Sequence, residues 1–229
     1  MALLLCIETT TKSCSVCLVQ DRKPIALHED HSDSYSHAEQ LHVFIEQCLS
    51  EASLGYSDLH AIAVSEGPGS YTGLRIGVSA AKGLAYALSI PMIAVSPLQS
   101  LAALVHSKIA NEAMLLPMID ARRMEVYCAG YRQDLKPIFP TRAEIVEPDS
   151  FPEAKAFPLC YFFGDGADKC AALFAERPAL HLIPEVKASA AGMAALAADA
   201  FERGQFVDTA YFEPFYLKDF VAGKAKQKP

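Results

Sequence analysis

The chain has 229 residues, 52% of them apolar, and a slightly positive mean hydropathy of +0.17. A disordered or low-complexity chain is excluded, and a chain this long buries about 70% of its unfolded surface without a disulfide or metal staple. The formal net charge of −7 excludes a protein that grips a phosphate backbone unaided, so any nucleic-acid role needs a basic partner or one small local patch.

The apolar start at residues 3–7 reads as a strand covered on both faces. It has no basic flank and runs into Glu8-Thr9-Thr10-Thr11-Lys12, which argues against an export signal. No apolar stretch reaches the roughly 18 residues that cross a bilayer, so no membrane association is expected. The seven cysteines, an odd number, predict reduced thiols in a cytoplasmic protein.

Residues 14–19 and 23–29 follow as strands of an antiparallel meander. Ser36 and Glu39 have the spacing of a capping box. Behind them Leu41, Phe44, Ile45, Cys48, Leu49 and Ala52 recur with helical period, up to a stop at Gly55. Residues 61–64 read as a strand and 66–73 as a glycine-rich loop. The next helix, 74–88, is small or apolar almost all round and is expected to pack on both sides. Residues 92–95 form a strand. Ser96-Pro97 then has the N-cap and first-turn chemistry of a helix whose apolar face is Leu98, Leu101, Ala102, Val105 and Ile109.

From there the pattern restarts. Residues 114–119 and 124–131 read as strands joined at Asp120-Ala121-Arg122-Arg123. The Pro-rich stretch 136–158 reads as short strands and loops. Residues 159–163 form a strand that enters Gly164-Asp165-Gly166, and 189–203 a last helix ended by Gly204. The basic tail 222–229 is expected to fray. Two successions of strand pair and alternating helices predict two related α/β lobes, residues 1–97 and 98–211, followed by a C-terminal segment, 212–229.

Each candidate site has plain packing as its rival. Cys14 and Cys17 form a Cys-x-x-Cys, but on a strand they point to opposite faces roughly 10 Å apart, beyond the ~7 Å limit for a disulfide. The histidines 28, 31, 37 and 42 crowd one region. A helical zinc pair needs His at i and i+4, yet Leu41 follows His37 at that spacing, so no metal site is expected and solvated or partner-facing histidines are. Residues 66–75 match neither a dinucleotide fingerprint nor a P-loop. They are read as a tight strand-to-helix turn or as amides exposed at a helix N-terminus. Glu8, Thr9 and Thr10, Asp120 and Arg122, and Gly164, Asp165 and Gly166 form a spaced trio of turns that are candidate remnants of a nucleotide cleft.

Several runs together resemble the TsaB family of bacterial tRNA threonylcarbamoyladenosine biosynthesis subunits. They are Ile7-Glu8-Thr9-Thr10, the run from His37 to Leu41, the run from Gly67 to Gly77, the run from Ala80 to Ala85, and Asp120-Ala121-Arg122. The resemblance spans residues 3 to about 218. It implies the two-lobed actin, Hsp70 and sugar-kinase (ASKHA) superfold, with mixed sheets and flanking helices. It also implies a non-catalytic paralogue of TsaD, the subunit that transfers threonylcarbamoyl to the tRNA adenosine next to the anticodon. The implied partners are a TsaD-like catalytic subunit and a TsaE-like ATPase, with tRNA reached only through the complex and a homodimer formed when the chain is alone. Nucleotide is expected only at an interface of the complex. The metal-binding His-x-x-x-His of the catalytic paralogue reads here as His37 and Leu41. The family's Asp-Thr-Ser in the first loop is Glu8-Thr9-Thr10 here.

The residues expected at the partner interface are His37, Leu41, Phe44, Ile45, Tyr71, Thr72, Leu74, Arg75, Gly77, Val78 and Ala81. Two other readings are an independent ATP-dependent phosphotransferase, with Glu8 and Asp120 as its carboxylates, and an M22-type metallopeptidase.

Overall fold

The computed structural model describes residues 2–32, 37–109 and 112–218. Ser36 of the expected capping box and the basic tail 222–229 lie outside them.

The first sheet contains β1 (Leu3–Glu8), β2 (Cys14–Gln20), β3 (Lys23–Asp30), β4 (Ala61–Ser65) and β5 (Met92–Val95) in the order β3-β2-β1-β4-β5. The second contains β6 (Met114–Asp120), β7 (Glu125–Tyr131), β8 (Pro137–Ile145), β9 (Cys160–Phe163) and β10 (Leu180–Ile183) in the order β8-β7-β6-β9-β10. Each sheet opens as an antiparallel meander, and each then adds two parallel strands on the far side of its first strand. Matching order and direction in both halves is the mark of a duplicated lobe. The expected stretch of short strands and loops at 136–158 contains one nine-residue strand, β8.

Period-2 alternation in β1 decides the layers. Leu3, Leu5 and Ile7 face α1 (His37–Glu51) and α2 (Tyr71–Leu88), where Leu41, Ile45, Val78 and Ala81 complete one core. Leu4 and Cys6 face the opposite side, where Met193, Ala194 and Ala197 cover them. Those residues begin α4 (Ala194–Glu202) and the turn before it. The last helix, which chain order assigns to the second lobe, therefore packs on the first sheet. The second sheet receives α3 (Pro97–Val105) on one face and short 3₁₀ segments, residues 152–156 and 168–174 with Phe151 and Phe174, on the other. Gly192 meets the backbone of Ser100 on α3 too closely for a Cβ, so α3 and the approach to α4 touch between the sheets.

The helix ends follow local chemistry. The hydroxyl of Ser70 accepts from Gly73 N–H, so α2 begins three residues before the expected Leu74. Ser96 accepts from Gln99 N–H, with Pro97 at the first helical position. The stop expected at Gly55 belongs instead to Ser53, which takes the left-handed conformation (φ 56°) while Leu54 N–H reaches back to Leu49 O. Gly204 (φ 63°) does follow α4 as expected.

Cys14 and Cys17 fall in different cores on opposite faces of β2. Burial pushes both thiols up to about 12. They are packing groups, with all seven cysteines unpaired.

Leu41 is fully buried among β1, β2 and α2. Leu41→Ala is expected to lower stability by about 2–5 kcal/mol through lost transfer and a residual cavity. Urea unfolding followed by circular dichroism checks this.

Candidate functional site

The loop after β1 is clamped from two sides. On the first side stand Gly69, Gly73 and Gly77, four residues apart and so on one face of α2 and its lead-in. A Cβ at Gly69 would strike Thr10 O, one at Gly73 would strike Thr9 O, and one at Gly77 would strike the Thr9 hydroxyl. Ser70 N–H donates to Thr10 O at 2.6 Å, and the Thr9 hydroxyl donates to Gly73 O at 2.8 Å. On the other side His37 Nε2 donates to Thr11 O at 2.8 Å. The glycine-rich run is thus a seat for the chain's own first loop.

Glu8 is turned into this clamp. Its Oε1 accepts from the N–H and the hydroxyl of Thr10, and its Oε2 accepts from the Ser65 hydroxyl. Burial raises its pKa, and those three donors oppose the shift. The carboxylate read as a nucleotide-loop remnant is satisfied internally and buried, as are Thr9 and Thr10.

The three expected turns do converge. Between the lobes lies a cleft of about 550 Å³, lined by Thr10, Thr11, Lys12 and residues 69–72 on one side and by residues 119–122, Tyr127 and Asp165 on the other. Asp120 N–H donates to Asp165 Oδ1 at 3.1 Å, and Lys169 pairs with the Asp120 carboxylate. The surrounding protein, with Asp120 beside it, pushes the Asp165 carboxyl up to about 6, although its tip opens to the cleft. Gly164 (φ 106°) and Gly166 press against the backbone of residues 118–120. They close the turn against β6, leaving Asp165 as that turn's group at the cleft, beside Asp120, Ala121 and Arg122 of the turn between β6 and β7. Sequence reasoning missed the remaining wall, Phe215–Lys218. Nothing in its Pro-aromatic composition shows that it folds back over the cleft.

The docking residues need correction. His37, Leu41, Ile45, Leu74, Gly77, Val78 and Ala81 are buried by this chain itself. Helical period places them on the sheet side, because the sheet takes the most apolar stripe of each helix. Phe44, Tyr71, Thr72 and Arg75 reach the surface. The outward side of the helix pair also carries Val43, Ser79, Gly83 and Tyr86, the last 84% exposed. The other histidines expected to face solvent or a partner divide. His28 pairs with Glu51, His31 with Glu29 and Ser13, and His42 is exposed. Among the described residues no three His, Cys, Asp or Glu side chains gather as a metal cluster, and no helix is long and apolar enough to cross a membrane.

Two five-stranded sheets of matching order, helices packed on each, and a cleft between them define a two-lobed α/β protein. Residues 31–225 match the family model TsaD, tRNA N6-adenosine threonylcarbamoyltransferase. The chain is 32% identical over 228 residues to tRNA threonylcarbamoyladenosine biosynthesis protein TsaB of Escherichia coli, covering 96% of each. It is 35% identical over 129 residues to the protein of the same name in Bacillus subtilis, covering 56% of this chain and 55% of that one. The solved structure of YeaZ from Pseudomonas aeruginosa superposes with a TM-score of 0.79 at 31% identity, covering 95% of this chain and 100% of that one. The chain belongs to the TsaB family, within the wider family described by the TsaD model.

Two outcomes test the clamp. Gly77→Ala places a methyl against Thr9 and is expected to cost about 1–3 kcal/mol of stability, read by thermal unfolding. Glu8 has a raised folded pKa, so the folded state holds its proton more tightly than the unfolded chain. Its contribution is fully present below the unfolded value and is lost as pH rises through the folded one. Urea unfolding across that range should show stability falling with pH, with a smaller fall in Glu8→Gln.

Proposed function

We propose that this chain is an accessory subunit in tRNA threonylcarbamoyladenosine formation, without an active site of its own. It docks a TsaD-like catalytic subunit through the outward side of α1 and α2. Gly83 carries the docking assignment. It lies within α2, its φ is not positive, and a Cβ built there meets nothing within 4 Å. Glycine at such a position costs about 1 kcal/mol relative to alanine. Gly69, Gly73 and Gly77 make room for the chain's own loop, whereas Gly83 makes room for nothing inside the molecule. A helix packed from outside supplies the reason, with Ser79, Ala80 and Ala87 as small neighbours.

The accessory role is supported by the cleft. A phosphotransferase needs carboxylates free to hold magnesium and orient a nucleophile. Glu8 is instead occupied by Ser65 and Thr10, and Asp120 by Lys169. A peptidase site at His37 is opposed by Leu41, which sits in the core where a second ligand would be needed. The catalytic partner then supplies metal, substrate contacts and the positive charge for tRNA that an acidic chain lacks. The same surface would form a homodimer in the absence of the partner, a TsaE-like ATPase would join the pair, and the setting is cytoplasmic.

Gly83→Leu is expected to abolish co-purification with the catalytic subunit and to stop modification in a reconstituted assay, while the isolated variant unfolds at the wild-type temperature or above. Retained pairing would sink the assignment. So would full modification by the catalytic subunit and ATPase without this chain.

A further inference from the structure

The polypeptide after α4 crosses back over the molecule in a course that the docking reading does not use. Val207 N–H donates to Met92 O at 2.9 Å, extending the edge of the first sheet. The Lys82 ammonium then donates to Ala210 O and Phe212 O, both at 3.0 Å. Phe212 packs into the core of the first lobe. Phe215 N–H donates to Glu66 O at 2.7 Å, and a Cβ on Gly67 would lie 2.7 Å from Phe215 O. The bare Cα of Gly67 therefore leaves room for the returning chain. Tyr216 lies against Tyr71 with ring centroids 5.0 Å apart. Beyond this seat Lys218 reaches over the cleft and pairs with Glu125 on β7.

The two ends of this segment are held unequally. Its grip on the first lobe is backbone hydrogen bonding, a lysine capping two carbonyls, and aromatic packing. Its hold on the second lobe is a salt bridge whose side chains are 43% and 21% exposed, the kind that salt screens and that contributes little to folding.

We infer that residues 206–218 are an interlobe strap, permanently seated on the first lobe and reversibly latched to the second by Lys218 and Glu125, so that the latch sets how far the cleft opens. The covalent links between the lobes lie on the α3 and α4 side, whereas the latch ties the cleft itself. Hinge motion between lobes is a standard means of gating a cleft. A strap joined to one lobe by many weak bonds and to the other by an exposed ion pair allows that motion without unfolding either lobe.

Charge exchange tests this on the full chain. Spin labels at Ser57→Cys in the first lobe and Ile145→Cys in the second report the distance between lobes, with unlabelled chain added in excess to dilute contacts between molecules. The native cysteines are buried and stay unlabelled. Lys218→Glu and Glu125→Lys should each shift the distribution to longer and broader distances, and the double variant should restore the original one. Hydrogen exchange at Phe215 N–H should remain protected in all three, showing that the seat on the first lobe is intact. Unchanged distances in both single variants would overturn the latch, as would a double variant that stays open.

Discussion

The structure depends on one close approach, that of the loop after β1 against a helix face stripped of side chains. Backbone meets backbone at Gly69 and Gly73, and the Thr9 hydroxyl meets the helix at Gly77, with no room for a Cβ at any of the three. This contact fixes where α2 stands on the first sheet, and α2 in turn fixes α1 beside it. It also buries Glu8 and turns its carboxylate toward Ser65 and Thr10. The feature that draws the eye in the sequence, a glycine-rich lead into a helix, is spent on holding the first hairpin.

Duplication explains the frame, and unequal covering explains the specialisation. The two sheets share strand order and direction, but their outer faces differ. The first carries two long helices of 15 and 18 residues. The second carries short 3₁₀ segments of five and seven residues packed around Phe151 and Phe174. A pair of packed α-helices presents a regular ridged surface to another helix pair, and short 3₁₀ segments offer no such surface. The asymmetry favours docking on the first lobe for reasons of surface geometry.

Much of this was legible in residue spacing. The period of Leu41, Ile45, Cys48 and Leu49 gave α1, Ser96-Pro97 gave the start of α3, and the short apolar runs gave β1, β4, β5 and β9. The restart near residue 114 announced the second lobe. What failed had physical causes. Ser53 ends α1 in a conformation that glycine usually takes, so composition pointed to Gly55. β10 has four residues, with His181 among them, too few for an alternation to register. Gly77 and Gly83 look identical along the helix, yet one meets Thr9 and the other open space. Only coordinates distinguish a glycine pressed against the chain's own loop from one that faces open space. Apolar spacing likewise marked Leu41, Ile45, Val78 and Ala81 as contact residues without saying that the contact is with the chain's own sheet.

The position of α4 has a consequence for biosynthesis. The inner face of the first sheet, with Leu4, Cys6, Cys17, Ala61 and Ile93, is covered by residues 190–198. A ribosome making this chain releases all five strands of that sheet long before the helix that shields them. The nascent first lobe therefore waits with a bare apolar face while residues 96–190 are made, the kind of surface that chaperones retain and that aggregates when they do not. Premature termination anywhere before residue 190 would leave that face open permanently.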